Sequence, residues 1–299
     1  MISVMISAWI RVIRIRFLFA SVISVSVGLA ITWWYTNDIT IVDAILTMCG
    51  VLALHASVDL LNDYWDFKRG IDTKTHRTKM SGGSGVLPEG LLKPSQVYAA
   101  GIVSLIIGAA IGMYFVATDG IVIGIILAFA VLSIYFYSTK IVNWGLAEVF
   151  VGIKGSMIVI GTYFVQTTDI TEQAVLGGIV IGTLSSLILF ITSFPDHDAD
   201  KAKGRKTLVI SLGKERACSI LWVFPVVTYG ITVIAVFFEI FPIFCLLILL
   251  TIPLIIRSGL KLKQNYDKLI NLIPIMSSTL YFSRITGVLL IVGFLVNTI

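Results

Sequence analysis

Nine stretches of this chain are apolar for about the length a helix needs to cross a bilayer, and no other feature restricts its fold so tightly. A spanning helix takes roughly 20 mainly apolar residues. The stretches are 17–34, 44–61, 97–117, 121–138, 146–165, 174–194, 217–238, 240–256 and 274–297. Each is continuously apolar, whereas barrel strands alternate over about 10 residues. The expectation is therefore all-α: a polytopic membrane protein with nine transmembrane helices. Of its 299 residues, 57% are hydrophobic and only 13% are charged, against about 25% charged in soluble domains. Water is not the solvent for most of such a surface. No small-residue cleavage pattern follows the first stretch, which reads as a span and not as a removable signal. Cys49, Cys218 and Cys245 are scattered and fit neither a disulfide framework nor a metal spacing. The net charge of +5 does not imply nucleic acid as a partner, because the basic residues share no soluble face and no groove-reading motif is present.

The charges between the spans set an orientation. All 22 Lys and Arg residues except Lys154 and Arg284 fall on one side if the N-terminus is cytoplasmic. The opposite loops hold Asp38, Asp119, Asp169, Glu172 and Glu239 and no basic residue. By the positive-inside rule the N-terminus and the long basic loops are cytoplasmic and the C-terminus is outside, as in a multi-pass protein of the cell membrane. Lys154 and Arg284 fall inside spans, about 15 Å from the cytoplasmic end at 1.5 Å per residue. Charges at that depth line a polar cavity, pair between helices or snorkel.

Two long inside loops begin with acidic clusters. In the first, Asp59, Asn62, Asp63 and Asp66 recur at helical spacing and form one polar stripe, with His55 one turn earlier. In the second, Asp196 and Asp200 share a face at i,i+4. The clusters lie 133 and 134 residues apart. That spacing suggests one membrane domain, 1–299, made of two four-helix units of about 1–140 and 141–256, plus a ninth helix at 274–297. Carboxylates so close repel one another and need a counter-charge. Magnesium takes oxygen ligands and is typically held by one or two carboxylates together with substrate phosphates. Two facing pairs can grip a diphosphate through Mg2+. Lys68, Arg69, Arg77, Lys201, Arg205 and Lys206 would neutralise the remaining phosphate charge. The bland reading of either cluster alone is a solvated loop of mixed charge. A transition-metal site is weaker, since His55, His76 and His197 share no short spacing. The run Gly82-Gly83-Ser84-Gly85 is either a flexible linker or a set of backbone N–H groups presented to an anion.

With these residues in view, the chain resembles the UbiA superfamily of intramembrane prenyltransferases. Asn62-Asp63-Tyr64-Trp65-Asp66 matches that family's Asn-Asp-x-x-Asp motif. Asp196 to Asp200, with Gly204-Arg205-Lys206-Thr207 behind it, matches the Asp-x-x-x-Asp motif and its basic tail. The resemblance implies a bundle around a central cavity with cytoplasmic cap loops over a diphosphate site. It also implies metal binding by Asn62, Asp63, Asp66, Asp196 and Asp200. The segment Arg77 to Gly90, the stretch Gly145 to Glu148, and Arg14 and Arg16 look like the MenA-like branch, which prenylates dihydroxynaphthoate. Asp59 stands where relatives often carry an amide. Tyr135, Tyr137 and Lys140 lie near a Tyr-x-x-x-Lys element whose spacing differs here.

The implied reaction moves a prenyl chain from a polyprenyl diphosphate, such as geranylgeranyl diphosphate, to an aromatic acceptor, by ionisation and ring attack. Lys140 and Lys154 join the diphosphate-binding set. Arg14, His55, Asp59, Tyr135, Tyr137 and Glu148 are candidates for the acceptor and prenyl pocket. Glu148, Asp59 and His55 all remain open as the group that takes the acceptor's proton. The nearest rival acceptor is geranylgeranylglyceryl phosphate, as in archaeal lipid synthesis. A cation-coupled transporter is more remote, since its charged site belongs near the midplane. A phosphatidyl-alcohol transferase would carry its aspartates in one continuous motif.

Overall fold

The computed structural model describes residues 2–70, 78, 81–137 and 143–296. Arg77 and Lys140 lie outside the described residues, as does the side chain of Tyr137. The described residues are helical wherever they form regular structure. The elements are α1 (Ile2–Val12), α2 (Ile15–Thr36), α3 (Ile41–Lys68), α4 (Pro94–Asp119), α5 (Ile121–Tyr137), α6 (Ala147–Thr167) and α7 (Glu172–Ala202). There follow α8 (Leu208–Leu212), α9 (Lys214–Ile220), α10 (Val223–Phe237), a 3₁₀ segment Ile243–Thr251, α11 (Ile252–Asn265) and α12 (Leu269–Val296).

Eight helical segments are long and apolar enough to cross a membrane, so this is a multi-pass membrane protein. Two of them are composite: α9 runs into α10, and the 3₁₀ segment into α11. The expected fourth span is α5, of 17 residues, which falls just short of that length among the described residues. Large apolar side chains face outward along it and its neighbour α4, among them Ile106, Ile107, Ile125 and Leu132, as lipid contact requires.

The helices that carry the acidic motifs overrun their expected ends. At 1.5 Å per residue, the 28 residues of α3 and the 31 of α7 extend about 42 and 46 Å, longer than a hydrocarbon core of about 30 Å. Each helix is thus at least two turns longer than the hydrocarbon core needs, and its acidic motif lies at its C-terminal end. Within α7, Pro195 has no N–H to donate to the preceding turn, which loosens the helix one residue before Asp196.

Small residues let the bundle close. A methyl group at Gly182 of α7 would lie 2.3 Å from the Gly152 carbonyl oxygen of α6. That contact sets α6 and α7 backbone to backbone. The main core joins α2, α6, α7 and α12 through Val27, Ile31, Val159, Leu184, Phe190 and Phe282.

A second, smaller core positions the site. Ala8 and Val12 of α1 pack with Leu60 of α3, with Val86, Leu87 and Leu92 of the loop that follows α3, and with Val97 of α4. The short helix α1 was not expected from the sequence. It folds because residues 81–92 offer it an apolar seat. Arg11 pins it there by a two-pronged ion pair to Glu89, at 2.9 Å on both arms. Residues 81–92 thus form a packed cap and not a free loop.

Candidate active site

Both acidic helix ends open onto one cavity of about 290 Å³. From α3 its wall includes His55, Asp59, Asn62 and Asp66; from α7, Asp196 and Asp200. Lys154 of α6, Arg205 and Thr207 beyond α7, Arg14 and Arg16 near the start of α2, and Arg284 of α12 also line it, with several serines. The two intramembrane cations thus do line a polar cavity. Arg284 also donates to the Arg16 carbonyl and lies 5.5 Å above the Phe19 ring.

Arg205 ties the two motifs together. Its guanidinium pairs with Asp66 of α3 and, at 3.2 Å, with Asp200 of α7. A planar fork suits two carboxylates in a way that a lysine does not. Asn62 donates to Asp66 at 3.2 Å. Lys203 reaches across to the Arg69 carbonyl at 3.3 Å, a second link between the loops.

The glycine run settles as a cradle. Gly82, Gly83 and Gly85 all have positive φ, at 82°, 76° and 77°, a region that costs other residues about 1–2 kcal/mol. This turns the loop back so that its N–H groups meet the acidic helix ends. Gly82 N donates to Asp196 Oδ2 at 3.2 Å, and Ser84 N donates to Asp63 Oδ1 at 3.0 Å. The anion these amides meet is therefore the protein's own carboxylate.

Asp63 differs from its neighbours. It is fully buried, is not among the residues that line the cavity, and accepts from Arg14 at 2.9 Å as well as from the Ser84 hydroxyl. Arg14 itself sits in the left-handed region, φ 52°, between α1 and α2. Asp63 thereby fastens the cap and the entry to α2 onto the end of α3.

Several expected residues stand elsewhere. Lys68 is exposed and lies over the rings of Tyr64 and Trp65. Arg69 and Lys206 are exposed, and Lys201 lines a separate surface cleft with His197 and Lys214. Tyr135 is 56% exposed on α5 and is not on the cavity wall. Glu148 is buried behind the cavity, where its Oε1 accepts from Leu208 N at 3.0 Å and steadies the start of α8. These residues lie near the site in order along the chain, but helix azimuth turns Lys68, Lys201 and Tyr135 away, and Arg69 and Lys206 lie beyond the ends of α3 and α7. Ser21, which bonds His55, was missed, because a lone serine in an apolar span carries no pattern.

Below the polar cavity lies an apolar chamber of about 130 Å³ between α3, α4, α5 and α6. Ser21, His55, Val58, Ile134, Lys154 and Ile158 belong to both walls, so the two spaces adjoin. The chamber runs along α3 to Thr47, about 28 Å from Asp66 at 1.5 Å per residue.

A membrane-spanning helical bundle with paired acidic helix ends over a polar cavity, and an apolar chamber beneath, defines a class: an intramembrane protein built for an amphiphile with an anionic head. The family follows from comparison. Residues 21–278 match the model of the UbiA prenyltransferase family, and the chain belongs to that family. It is 28% identical over 283 residues to the 1,4-dihydroxy-2-naphthoate octaprenyltransferase of Bacillus subtilis (strain 168), covering 93% of this chain and 89% of the relative. Its fold matches the apo structure of a UbiA homolog from Aeropyrum pernix K1 with a TM-score of 0.70 at 16% identity, covering 95% of this chain and 98% of the other. It also matches a UbiA homolog from Archaeoglobus fulgidus bound to GPP and Mg2+, with a TM-score of 0.62 at 15% identity over 95% and 99% of the two chains.

Proposed function

We propose that this enzyme transfers a prenyl chain from a polyprenyl diphosphate to a dihydroxynaphthoate-like acceptor, releasing diphosphate. The observation that carries the reading is that Asn62 and Asp66 of α3 and Asp196 and Asp200 of α7 line one cavity. That cavity adjoins an apolar chamber fit for an isoprenoid tail. The acceptor class follows the Bacillus subtilis relative.

The residues present suit magnesium. All the donors are oxygens, and Asp196 Oδ1 is buried without a hydrogen-bond partner. Among the described residues no three His, Cys, Asp or Glu converge as a finished metal cage. Magnesium needs none, since substrate phosphates complete its shell. Asn62, Asp66, Asp196 and Asp200 would hold it. When bound, magnesium supplies positive charge against the diphosphate as the carbon–oxygen bond breaks.

The chain's own residues do the rest. Arg205, placed between the two motifs, is available to a phosphate oxygen once the carboxylates engage metal. Asp63, Arg14 and Ser84 keep the cap closed over the head group. Water excluded by the cap and the bundle cannot intercept the allylic cation. Lys154, deeper in the wall than the aspartates, faces the acceptor carboxylate and not the diphosphate. The basic loops face the cytoplasm of a cell membrane by the positive-inside rule. The matching positions of the two acidic motifs on α3 and α7 support an origin in two four-helix units.

Incubating the purified protein with magnesium, geranylgeranyl diphosphate and each candidate acceptor tests the reading. Turnover of dihydroxynaphthoate supports it. Turnover of geranylgeranylglyceryl phosphate alone rejects the acceptor, and wild-type rates in Asp66→Ala, Asp196→Ala and Asp200→Ala reject the metal assignment.

A further inference from the structure

A polar cluster lies at the junction of the two chambers, below the acidic mouth. Ser21 of α2 holds His55 of α3, with Oγ to Nδ1 at 2.6 Å. Asp59, one turn along α3, places Oδ2 3.7 Å from His55 Nε2. That is too long for a hydrogen bond, and Asp59 Oδ2 is buried with no hydrogen-bond partner. Both side chains line the cavity. One histidine nitrogen is thus fixed by protein, while the other nitrogen and a carboxylate oxygen face the same space slightly too far apart to satisfy each other. A hydroxyl entering that gap can satisfy both.

The depth suits an acceptor. Along α3, Asp59 and His55 lie about 10 and 16 Å below Asp66 at 1.5 Å per residue. The diphosphate belongs at Asp66, Asp196 and Asp200, so the reacting carbon hangs beneath it, and a ring beside that carbon reaches Asp59 and His55. The other charged groups facing His55 are Lys154 of α6 and Arg14 before α2. Glu148 does not line this space, since it caps α8.

Resting on the prenyl-transfer reading, we infer that His55, oriented by Ser21 and paired with Asp59, is the base that takes the proton of the acceptor's ring hydroxyl. The O–H bond breaks and an N–H bond forms on His55. The freed electron pair moves into the ring as a ring carbon bonds to the allylic carbon, and diphosphate leaves with the electrons of the carbon–oxygen bond. The ring regains aromaticity as the substituent on the attacked carbon leaves and its bonding electrons return to the ring, and the ring oxygen takes back the proton held on His55. Asp59 stabilises the imidazolium. Ser21 is a positioning residue.

The test uses the full chain with magnesium, geranylgeranyl diphosphate and dihydroxynaphthoate, and two readouts: kcat/KM across pH, and magnesium-dependent binding of geranylgeranyl thiolodiphosphate. General-base catalysis contributes about 10²–10⁴-fold, so His55→Gln loses about that much transfer at neutral pH, and Asp59→Asn loses less, because relatives often carry an amide at that position. They keep affinity for the thiolodiphosphate within about threefold, which also shows that they are folded, and their deficit shrinks about tenfold per pH unit as the hydroxyl ionises unaided. Ser21→Ala shows a smaller loss with the same narrowing. Transfer within about threefold of wild type in His55→Gln overturns the inference. So does a deficit equal at every pH, or one matched by lost diphosphate affinity, as a purely structural clamp predicts. A wild-type enzyme that prenylates only the glyceryl phosphate overturns the acceptor reading beneath it.

Discussion

Asp63→Asn exchanges one carboxylate oxygen for an amide nitrogen at the most enclosed acid of the site. Asp63 accepts from Arg14 at 2.9 Å, from Ser84 N at 3.0 Å and from the Ser84 hydroxyl. An asparagine keeps the shape and some bonds, but all of them become neutral at the acceptor. Hydrogen bonds to a charged group are worth about 1.5–3 kcal/mol, against about 1 for neutral ones. Three weakened bonds therefore loosen the cap by about 2 kcal/mol, a factor of about 30 in its opening equilibrium. Hydrogen exchange of the Glu89 and Leu91 amides, which bond back to Gly85 and Val86 within the cap, reports that equilibrium. The partner variant is Ser84→Ala. If Asp63 acts through Ser84, the two substitutions couple by about 1 kcal/mol, beyond the 0.5 kcal/mol scatter of independent sites. The same coupling should appear in affinity for a magnesium–diphosphate analogue. Additive effects, with a normal cap in Asp63→Asn and lost metal affinity, would refute the fastening role and make Asp63 a direct ligand.

Four other outcomes follow. Arg205→Lys should raise KM for the prenyl diphosphate about tenfold, because a point charge cannot span Asp66 and Asp200 as the fork does; steady-state kinetics reads it. Gly182→Ala should lower the melting temperature by several degrees, since its methyl would meet the Gly152 carbonyl at 2.3 Å, a clash of about 1–3 kcal/mol. Gly230→Ala, with nothing within 4 Å, is the matched control and should not be destabilised. Glu89→Gln should change activity less than about twofold, because the Arg11–Glu89 pair is more than a third exposed on both sides and such pairs contribute at most about 1 kcal/mol. A chelator should abolish turnover, and added magnesium should restore it.

The eight spans found among the described residues, the paired acidic motifs and the cavity-lining Lys154 and Arg284 were legible because each is a statement about spacing along a chain in lipid. What was not legible is azimuth and contact. On a helix Asp63 stands about 60° from Asp66 at 100° per residue, close enough to look like one stripe. That rotation is nevertheless enough to turn Asp63 from the cavity to the cap. Tyr135 and Lys68 face outward for the same reason, although each is near the site in sequence. The glycine run was ambiguous because its composition suits a linker. Only positive φ at three positions, together with the apolar seat for α1, shows it to be structure. Helix α1 was overlooked because a helix of 11 residues is too short to span and shows only when its partner is known.

The most direct measurement is a structure of the protein with Mn2+ in place of magnesium and geranylgeranyl thiolodiphosphate, located by anomalous scattering. Metal should lie about 2–2.2 Å from oxygens of both α3 and α7, at Asn62 or Asp66 and at Asp196 or Asp200, with one diphosphate between them. Metal held by a single helix end, or a diphosphate seated away from the space Arg205 now bridges, would contradict that placement.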